Sequence, residues 1–286
     1  MGLFDWIGGW FMKKHTVTTP QDSTQDRAVV VGINKYPGCP LSGCVFDATN
    51  ITSVRMARSP LASQRTLLDG QATTQNIADA LKWLAETPPG ARALFWYSGH
   101  GAQAPTSDPS EPDGLSECMC PVDFDWSPER MLTDKQLVAI FSKMQPGVRF
   151  DWGSDSCHSG NLNSVRAMNP HRNIPKRMVA PPHIQTQIDK LKLAGRFVRG
   201  TRALVSGKLD VGFISGCRSD QTSADTEVNG QPCGAFTWYF VEALKKLPQA
   251  PLSDVVHLCR SNLAAEGYEQ APQVDGPQSG KPFLLL

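Results

Sequence analysis

The chain has 286 residues, of which 40% are apolar and 19% charged. This composition can bury one large α/β core or two average domains, and it excludes disordered, collagen-like and coiled-coil proteins. The 28 Lys and Arg residues nearly balance the 27 Asp and Glu residues, for a formal net charge of +1, which argues against a nucleic-acid binder because phosphate binding needs surplus basic side chains.

The charge is unevenly distributed along the chain. Residues 166–208 hold ten of the basic residues and a single acid, Asp189, which leaves the rest of the chain with a formal net charge of −8. We call residues 166–208 the basic insert. The neutral protein is therefore an acidic body that carries a basic insert.

Residues 1–14 (MGLFDWIGGWFMKK) form an apolar arm, and residues 15–26 are a polar linker. The arm lacks the order of charge, apolar run and cleavage site of a signal peptide, and it is too short to span a bilayer. We expect the arm to dock on the protein's own surface rather than on a membrane, because Gly8 and Gly9 weaken an interfacial helix. The expected location is cytoplasmic.

Eight cysteines are dispersed over the chain, which is large enough to fold without disulfide staples. Cys118 and Cys120 lack the two-residue spacer of a zinc knuckle, and no second pair completes a tetrahedral set. We therefore expect no structural zinc.

From residue 27 onward, strand-like and helix-like segments alternate. Such an order predicts right-handed crossovers and a mostly parallel central sheet with helices on both faces. The predicted strands are 28–33, 64–68, 93–97, 148–152 and 211–215, and the predicted helices are 46–56, 73–87, 133–141, 234–247 and 252–265, with a further helix at 184–193 in the basic insert.

Two predicted strands end in reactive side chains. His100 follows the strand 93–97, and Cys157 follows the strand 148–152; both are flanked by Gly and Ser. A lone Cys or His is usually structural, but ligands of parallel sheets bind beyond the carboxyl ends of the strands. The pattern therefore predicts an active site at this edge of the sheet.

A thiol and an imidazole in one cleft suggest nucleophilic acyl transfer, in which Cys157 attacks a carbonyl and His100 protonates the leaving amine. The backbone N–H groups of Gly101 and Cys157 are the candidates for the oxyanion hole. His158 is a rival base, but adjacent residues usually point apart, which favours His100.

The segments Tyr97-Ser-Gly-His-Gly-Ala-Gln103 and Asp155-Ser-Cys-His-Ser-Gly160 resemble the His and Cys motifs of metacaspases, which are caspase-like cysteine peptidases. Similar motifs extend the resemblance from about residue 27 to the C-terminus: Val31-Gly-Ile-Asn34, Gly43-Cys-Val-Phe-Asp-Ala48, Cys120-Pro-Val-Asp123 and Ser215-Gly-Cys-Arg-Ser-Asp-Gln-Thr-Ser-Ala224.

The resemblance implies an α/β caspase-hemoglobinase fold and endopeptidase cleavage after Arg or Lys. It implies a peptidase domain at 27–286, with a large-subunit-like part at 27–165, the basic insert, and a small-subunit-like part at 209–286. The family's pocket for the basic side chain matches four residues here. They are Asp47, Asp155, Cys44 and Ser98.

Many metacaspases need calcium, which is bound by several carboxylates. The weak calcium candidates here are Asp113, Glu117 and Asp134, but Ser116, Thr133 and Ser164 stand where the family carries further acids. A calcium ion takes six to eight oxygens. We therefore expect that no cofactor is required and that activity is independent of calcium.

The basic insert is predicted to be a mobile connection with two open interpretations: a solvated positive loop, or a self-cleavage segment that plugs the acidic pocket.

The expected partners are peptides or proteins with Arg or Lys at the cleavage position, and we expect a monomer. A catalytically silent caspase-like binding module is the alternative, and a hydrolase of unrelated acyl substrates is a third possibility; the presence of both Cys157 and His100 argues against the silent module.

Overall fold

The computed structural model describes residues 25–60, 62–109, 111, 113–156, 174–176, 178–193, 209–218 and 221–284. Several predicted features lie outside these residues: the N-terminal arm, Cys157, His158, Ser164 and most of the basic insert. No helix within the described ranges is long and apolar enough to cross a membrane.

Strands and helices alternate along the described chain much as the sequence predicts. The strands are β1 (Arg27–Gly32), β2 (Ser63–Leu68), β3 (Arg92–Ser98), β4 (Gly101–Pro105), β5 (Leu115–Met119), β6 (Leu132–Thr133), β7 (Arg149–Asp155), β8 (Ile174–Pro175), β9 (Gly212–Ser215), β10 (Ala224–Val228), β11 (Gln231–Gly234) and β12 (Gln273–Asp275). The α-helices are α1 (Cys44–Arg58), α2 (Thr74–Ala85), α3 (Asp134–Phe141), α4 (Pro182–Leu193), α5 (Ala235–Lys246) and α6 (Leu252–Ala265).

The central sheet has six strands in the order β12-β9-β7-β3-β1-β2. Within the described residues, five of these strands (β2, β1, β3, β7 and β9) run parallel, and β12 pairs antiparallel with β9 at the edge. Every residue of β3 and β7 is buried, as expected for strands that are covered on both faces. The predicted mostly parallel sheet is therefore confirmed.

Helices cover both faces because successive side chains of a strand point to opposite sides. Phe95 belongs to the core on the face covered by α2 and α3. Its neighbour Trp96 belongs to the core on the other face, under α1, α5 and α6, where it stacks on Phe236 at a ring distance of 5.7 Å. Apolar cores therefore pack on both faces of the sheet, which leaves its edges as the places where a site can form.

Two small antiparallel sheets were not predicted from the sequence. One has the order β4-β5-β6 and the other β11-β10-β8. Their strands are short and pair across loops, so no local periodicity marks them. Strand β8 comes from the basic insert, which also supplies α4, whose Ile188 is buried; α4 packs against β4. The described residues of the insert therefore contact the body through β8, Lys176 and Ile188, and the helix predicted at 184–193 is present as α4.

Candidate active site

The carboxyl ends of the central strands meet at one edge of the sheet. Ser98 at the end of β3 is paired with Gly32 at the end of β1 and with Asp155 at the end of β7. His100 comes two residues after β3. Cys157 comes two residues after β7 and lies outside the described residues.

The main chain of His100 is held by two tyrosine hydroxyls. Its N–H donates to Tyr36 Oη at 3.0 Å, and its carbonyl accepts from Tyr97 Oη at 2.7 Å. A Cβ atom on Gly99 would lie 2.5 Å from Tyr36 Oη and 2.7 Å from Tyr97 Oη. A glycine before His100 is therefore needed for these two tyrosines to reach the histidine.

The imidazole of His100 is oriented by a backbone carbonyl. Nε2 lies 2.7 Å from the carbonyl oxygen of Cys39, and a carbonyl only accepts, so Nε2 carries the proton. The buried Nδ1 makes no hydrogen bond of normal geometry within the described residues; the carbonyl of Lys176 faces the ring, and a carbonyl is not a donor, so the Nδ1 lone pair remains available to a proton donor. Sequence reasoning did not identify Cys39, because its role depends on a main-chain carbonyl and leaves no side-chain signal.

The His100 ring is kept neutral by its surroundings. Burial lowers the pKa of His100 to about 4; the charge of Lys176 also lowers it, and the main-chain carbonyls of Cys39 and Lys176 act in the opposite direction. A neutral imidazole at pH 7 is the form that can accept a proton.

The structure brings the four predicted pocket residues together below this edge. Asp47, on α1, accepts a hydrogen bond from Ser98 Oγ at 2.6 Å. Cys44, one turn earlier on α1, is buried and interacts with Ser98; burial raises the pKa of its thiol. Asp155 completes the group, and all four side chains are buried.

Lys176 of the basic insert fills this acidic pocket. Its Nζ lies 2.8 Å from Asp47 Oδ2, 2.8 Å from Ser98 Oγ and 3.1 Å from Asp155 Oδ2, and the residue is 0% exposed. Burial alone would lower the pKa of Lys176, but the carboxylates of Asp155 and Asp47 outweigh it and raise this pKa well above its usual range. The pocket thus holds a fully buried ammonium group, a situation that needs paired carboxylates.

Further groups orient the two carboxylates. Asp155 accepts from Ser223 Oγ at 2.5 Å and from Thr237 Oγ1 at 2.6 Å. Asp47 accepts from the N–H of Gly234 at 2.8 Å. Ser223 lies in one of the quoted family-like motifs, but the roles of Thr237 and Gly234 become visible only when the small-subunit-like part packs against β7.

The main chain around Lys176 is bound as an extended strand. β8, immediately before it, pairs antiparallel with β10, and the N–H of Lys176 donates to the carbonyl of Ser223 at 3.0 Å. The Lys176 carbonyl accepts from the N–H of Gly101 at 3.1 Å. Gly101, one of the two predicted oxyanion donors, therefore points its N–H at the carbonyl of the residue in the pocket.

The three weak calcium candidates are buried next to β5 and α3. Burial, with the charges of Glu117 and Glu111, raises the pKa of Asp134 to about 7. Lys135 forms ion pairs with Glu111 at 2.8 Å and with Asp108 at 3.2 Å. Among the described residues, no group of three or more His, Cys, Asp or Glu side chains is arranged to hold a metal ion.

Comparison with known proteins identifies related sequences. A family model described as "Metacaspase, peptidase C14 domain" matches residues 26–165. Metacaspase-1 of Sclerotinia sclerotiorum is 31% identical over 295 residues, covering 91% of this chain and 68% of that protein. Metacaspase-1A of Aspergillus fumigatus (strain Af293) is 30% identical over 284 residues, covering 87% of this chain and 68% of that protein.

Solved structures show the same architecture. Protein GSU0716 from Geobacter sulfurreducens superposes with a TM-score of 0.66 at 26% identity, covering 91% of this chain and 99% of that chain. Caspase-1 from Spodoptera frugiperda superposes with a TM-score of 0.54 at 10% identity, covering 96% and 98% of the two chains, and this similarity concerns the fold alone. With its parallel sheet, its strand-end histidine and the matching family sequences, the chain belongs to the metacaspase family of caspase-like cysteine peptidases.

Proposed function

We propose that the protein is a cysteine endopeptidase that cleaves peptide bonds after Lys or Arg by means of Cys157 and His100. The observation that carries this proposal is the seating of Lys176: its ammonium lies between Asp47 and Asp155 while its carbonyl accepts from Gly101. A substrate residue must make the same two contacts for its carbonyl to be attacked.

The chemistry follows from the tautomer of His100. Nδ1 accepts the proton of the Cys157 thiol, and the thiolate sulfur bonds to the carbonyl carbon of the substrate. The negative charge moves to the carbonyl oxygen, where the N–H groups of Gly101 and Cys157 stabilise it. The C–N bond then breaks as His100 returns the proton to the leaving amine, and water hydrolyses the thioester to release the acid and restore the thiol.

Electrostatics favour a basic side chain in the pocket. Asp47 and Asp155 are both buried, and burial raises the pKa of Asp47 to about 6 even though Lys176 opposes the shift. An acidic side chain would add a third carboxylate to this region, whereas an ammonium or guanidinium is paired on two sides. The pocket therefore supports selection of Lys and Arg, and family membership does not favour the catalytically silent alternative.

Fluorogenic tetrapeptides that end in Arg, Lys or Asp test this proposal. We expect kcat/KM for the Arg and Lys reporters to exceed that for the Asp reporter at least hundredfold, because a buried unpaired charge costs several kcal/mol. The Cys157→Ala variant is the control for contaminating proteases. A preference for the Asp reporter contradicts the proposal.

The same geometry extends the proposal to self-processing. The bond after Lys176 is the one whose carbonyl faces Gly101 and His100, and it lies in the basic insert. The intact chain is thus expected to be its own first substrate, cleaved between Lys176 and Arg177.

We also propose that activity does not require calcium. The donor set does not fit the ion: Ser116 stands in place of an acid, and Lys135 brings an ammonium to the acids of this region. Lys135 thus places a positive charge next to Glu111 and close enough to Asp134 to act on its pKa, and a calcium ion beside this ammonium would be repelled.

Chelation tests the calcium proposal. We expect the kcat/KM of the Arg reporter to change less than twofold between 1 mM chelator and 5 mM CaCl2, conditions chosen to bracket millimolar calcium affinities. A calcium-dependent peptidase assayed in the same buffers is the positive control. Loss of activity in chelator that calcium restores would refute the proposal.

A further inference from the structure

We infer that an apolar cleft beside His100 binds the side chain of the second substrate residue after the cleaved bond, and that it selects large apolar side chains there. The inference deepens the proposed function and rests on it for the position of the bond. The cleft is lined by Tyr36, Pro37, Gly38, Cys39, Phe124, Trp126, Met178 and Val179.

The path of the main chain leads from the acidic pocket into this cleft. Gly101 donates its N–H to the carbonyl of Lys176 at 3.1 Å and accepts from the N–H of Met178 at 2.9 Å. These two bonds fix the direction of the chain across the reacting carbonyl. Met178, the second residue after the bond, therefore lies in the wall of the cleft, where its side chain packs on the core.

The cleft is apolar on its other walls. The rings of Phe124 and Trp126 meet edge to face with centroids 5.0 Å apart, and Tyr36 packs on the His100 ring at 4.6 Å. The Tyr36 hydroxyl faces inward, where it donates to the carbonyl of Cys120 at 2.9 Å. None of the described lining residues is charged, so a charged substrate side chain would lose hydration without gaining a partner.

Space remains in the cleft while Met178 is in place. Its volume is about 380 Å³, so the cleft can accept a side chain larger than methionine. Large apolar and aromatic side chains gain the most from leaving water at such a site.

The backbone of Trp126 is a separate indication that this wall is specialised. Its φ is 71°, in the left-handed region that bulky residues rarely adopt and that costs about 1 kcal/mol or more. The indole packs on the edge of the core with one side and stays half-buried, with the rest of the ring lining the cleft. A binding surface for a substrate side chain accounts for a large aromatic residue there.

A peptide library varied at the cleavage position and at the second position after it tests the inference, with cleaved bonds identified by mass spectrometry. We expect peptides with Met, Leu or Phe at the second position to be cleaved about tenfold faster than peptides with Ser or Asp. We expect Trp126→Asn and Phe124→Ala to reduce that ratio to less than threefold. Asn is chosen at 126 because it tolerates the left-handed backbone.

The matched control is Trp83→Ala, which removes a half-buried tryptophan packed on Arg27 and Arg65 and is expected to keep the tenfold ratio. The two varied positions separate the hypotheses: residues preferred before the bond report on the proposed function, and residues preferred after it report on the cleft. Equal cleavage whatever the second residue, or an unchanged ratio in both cleft variants, overturns the inference. Absence of any cleavage overturns it together with the proposed function.

Discussion

The purified protein is expected to cleave itself and to yield a fragment whose first residue is Arg177, whereas Lys176→Met leaves this bond intact. Lys176 is the residue whose ammonium reaches both Asp47 and Asp155 and whose carbonyl is bound by Gly101. Without the ammonium, seating this segment would leave the two buried carboxylates unpaired, which weakens the binding of the main chain by β10 and Gly101. N-terminal sequencing and intact mass of the fragments measure the outcome.

Three variants make this result specific. Cys157→Ala is expected to remain intact because it lacks the nucleophile, and Lys176→Arg is expected to be cleaved because a guanidinium also pairs with two carboxylates. Lys190→Met, which removes an exposed lysine of the same insert, is expected to be cleaved like the wild type. Fragments that begin only at other residues, or an intact wild-type chain, would contradict the assignment of Lys176.

Stability must be measured with this series. Lys176→Met leaves two buried carboxylates without their cation, and breaking a buried pair in this way costs about 3–5 kcal/mol. Lys176→Arg keeps the charge and controls for this loss.

We also expect the rate of self-cleavage to stay the same when the protein is diluted tenfold, because the segment is already seated in the site of its own chain.

Asp155→Asn is expected to lower kcat/KM for Arg and Lys reporters about a thousandfold. The carboxylate of Asp155 lies 3.1 Å from the ammonium in the pocket, and removing one charged partner from a buried pair costs 2–5 kcal/mol or more. Asn has a similar size and retains an oxygen that can accept from Ser223, but its NH2 group replaces the oxygen that accepts from Thr237, so the expected loss includes this hydrogen bond as well as the charge. Steady-state kinetics on the reporters measure the loss.

Asp225→Asn is the matched control for this experiment. Asp225 is also a buried acid, but it accepts from the N–H groups of Ser42 and Gly43 at 2.7 and 2.8 Å and forms no ion pair with Lys176 at hydrogen-bond distance. We expect its loss of activity to be less than tenfold. Alkylation of Cys157 by iodoacetamide counts the intact sites in each variant, and equal losses in Asp155→Asn and Asp225→Asn would show that the effect is structural.

Much of the architecture follows from local sequence patterns. Continuous apolar runs predict strands that are buried on both faces, and the helix 252–265 was predicted with the bounds found in the structure. The strand-end positions of His100 and Cys157 predict an active site at the carboxyl edge. The acids Asp47 and Asp155 were predicted as pocket residues from the family resemblance, and the structure places them together.

The sequence by itself determined that the chain is a parallel α/β protein with a reactive histidine and cysteine at one sheet edge, because strand and helix periodicities and strand ends are local features. Only the tertiary structure decided which of the ten basic residues of the insert enters the pocket. Lys176 meets Asp47 across 129 positions of the chain, a contact fixed by pairing with β10 and by the N–H of Gly101. The carbonyl that orients His100 and the apolar cleft beside it likewise depend on distant segments that no local pattern brings together.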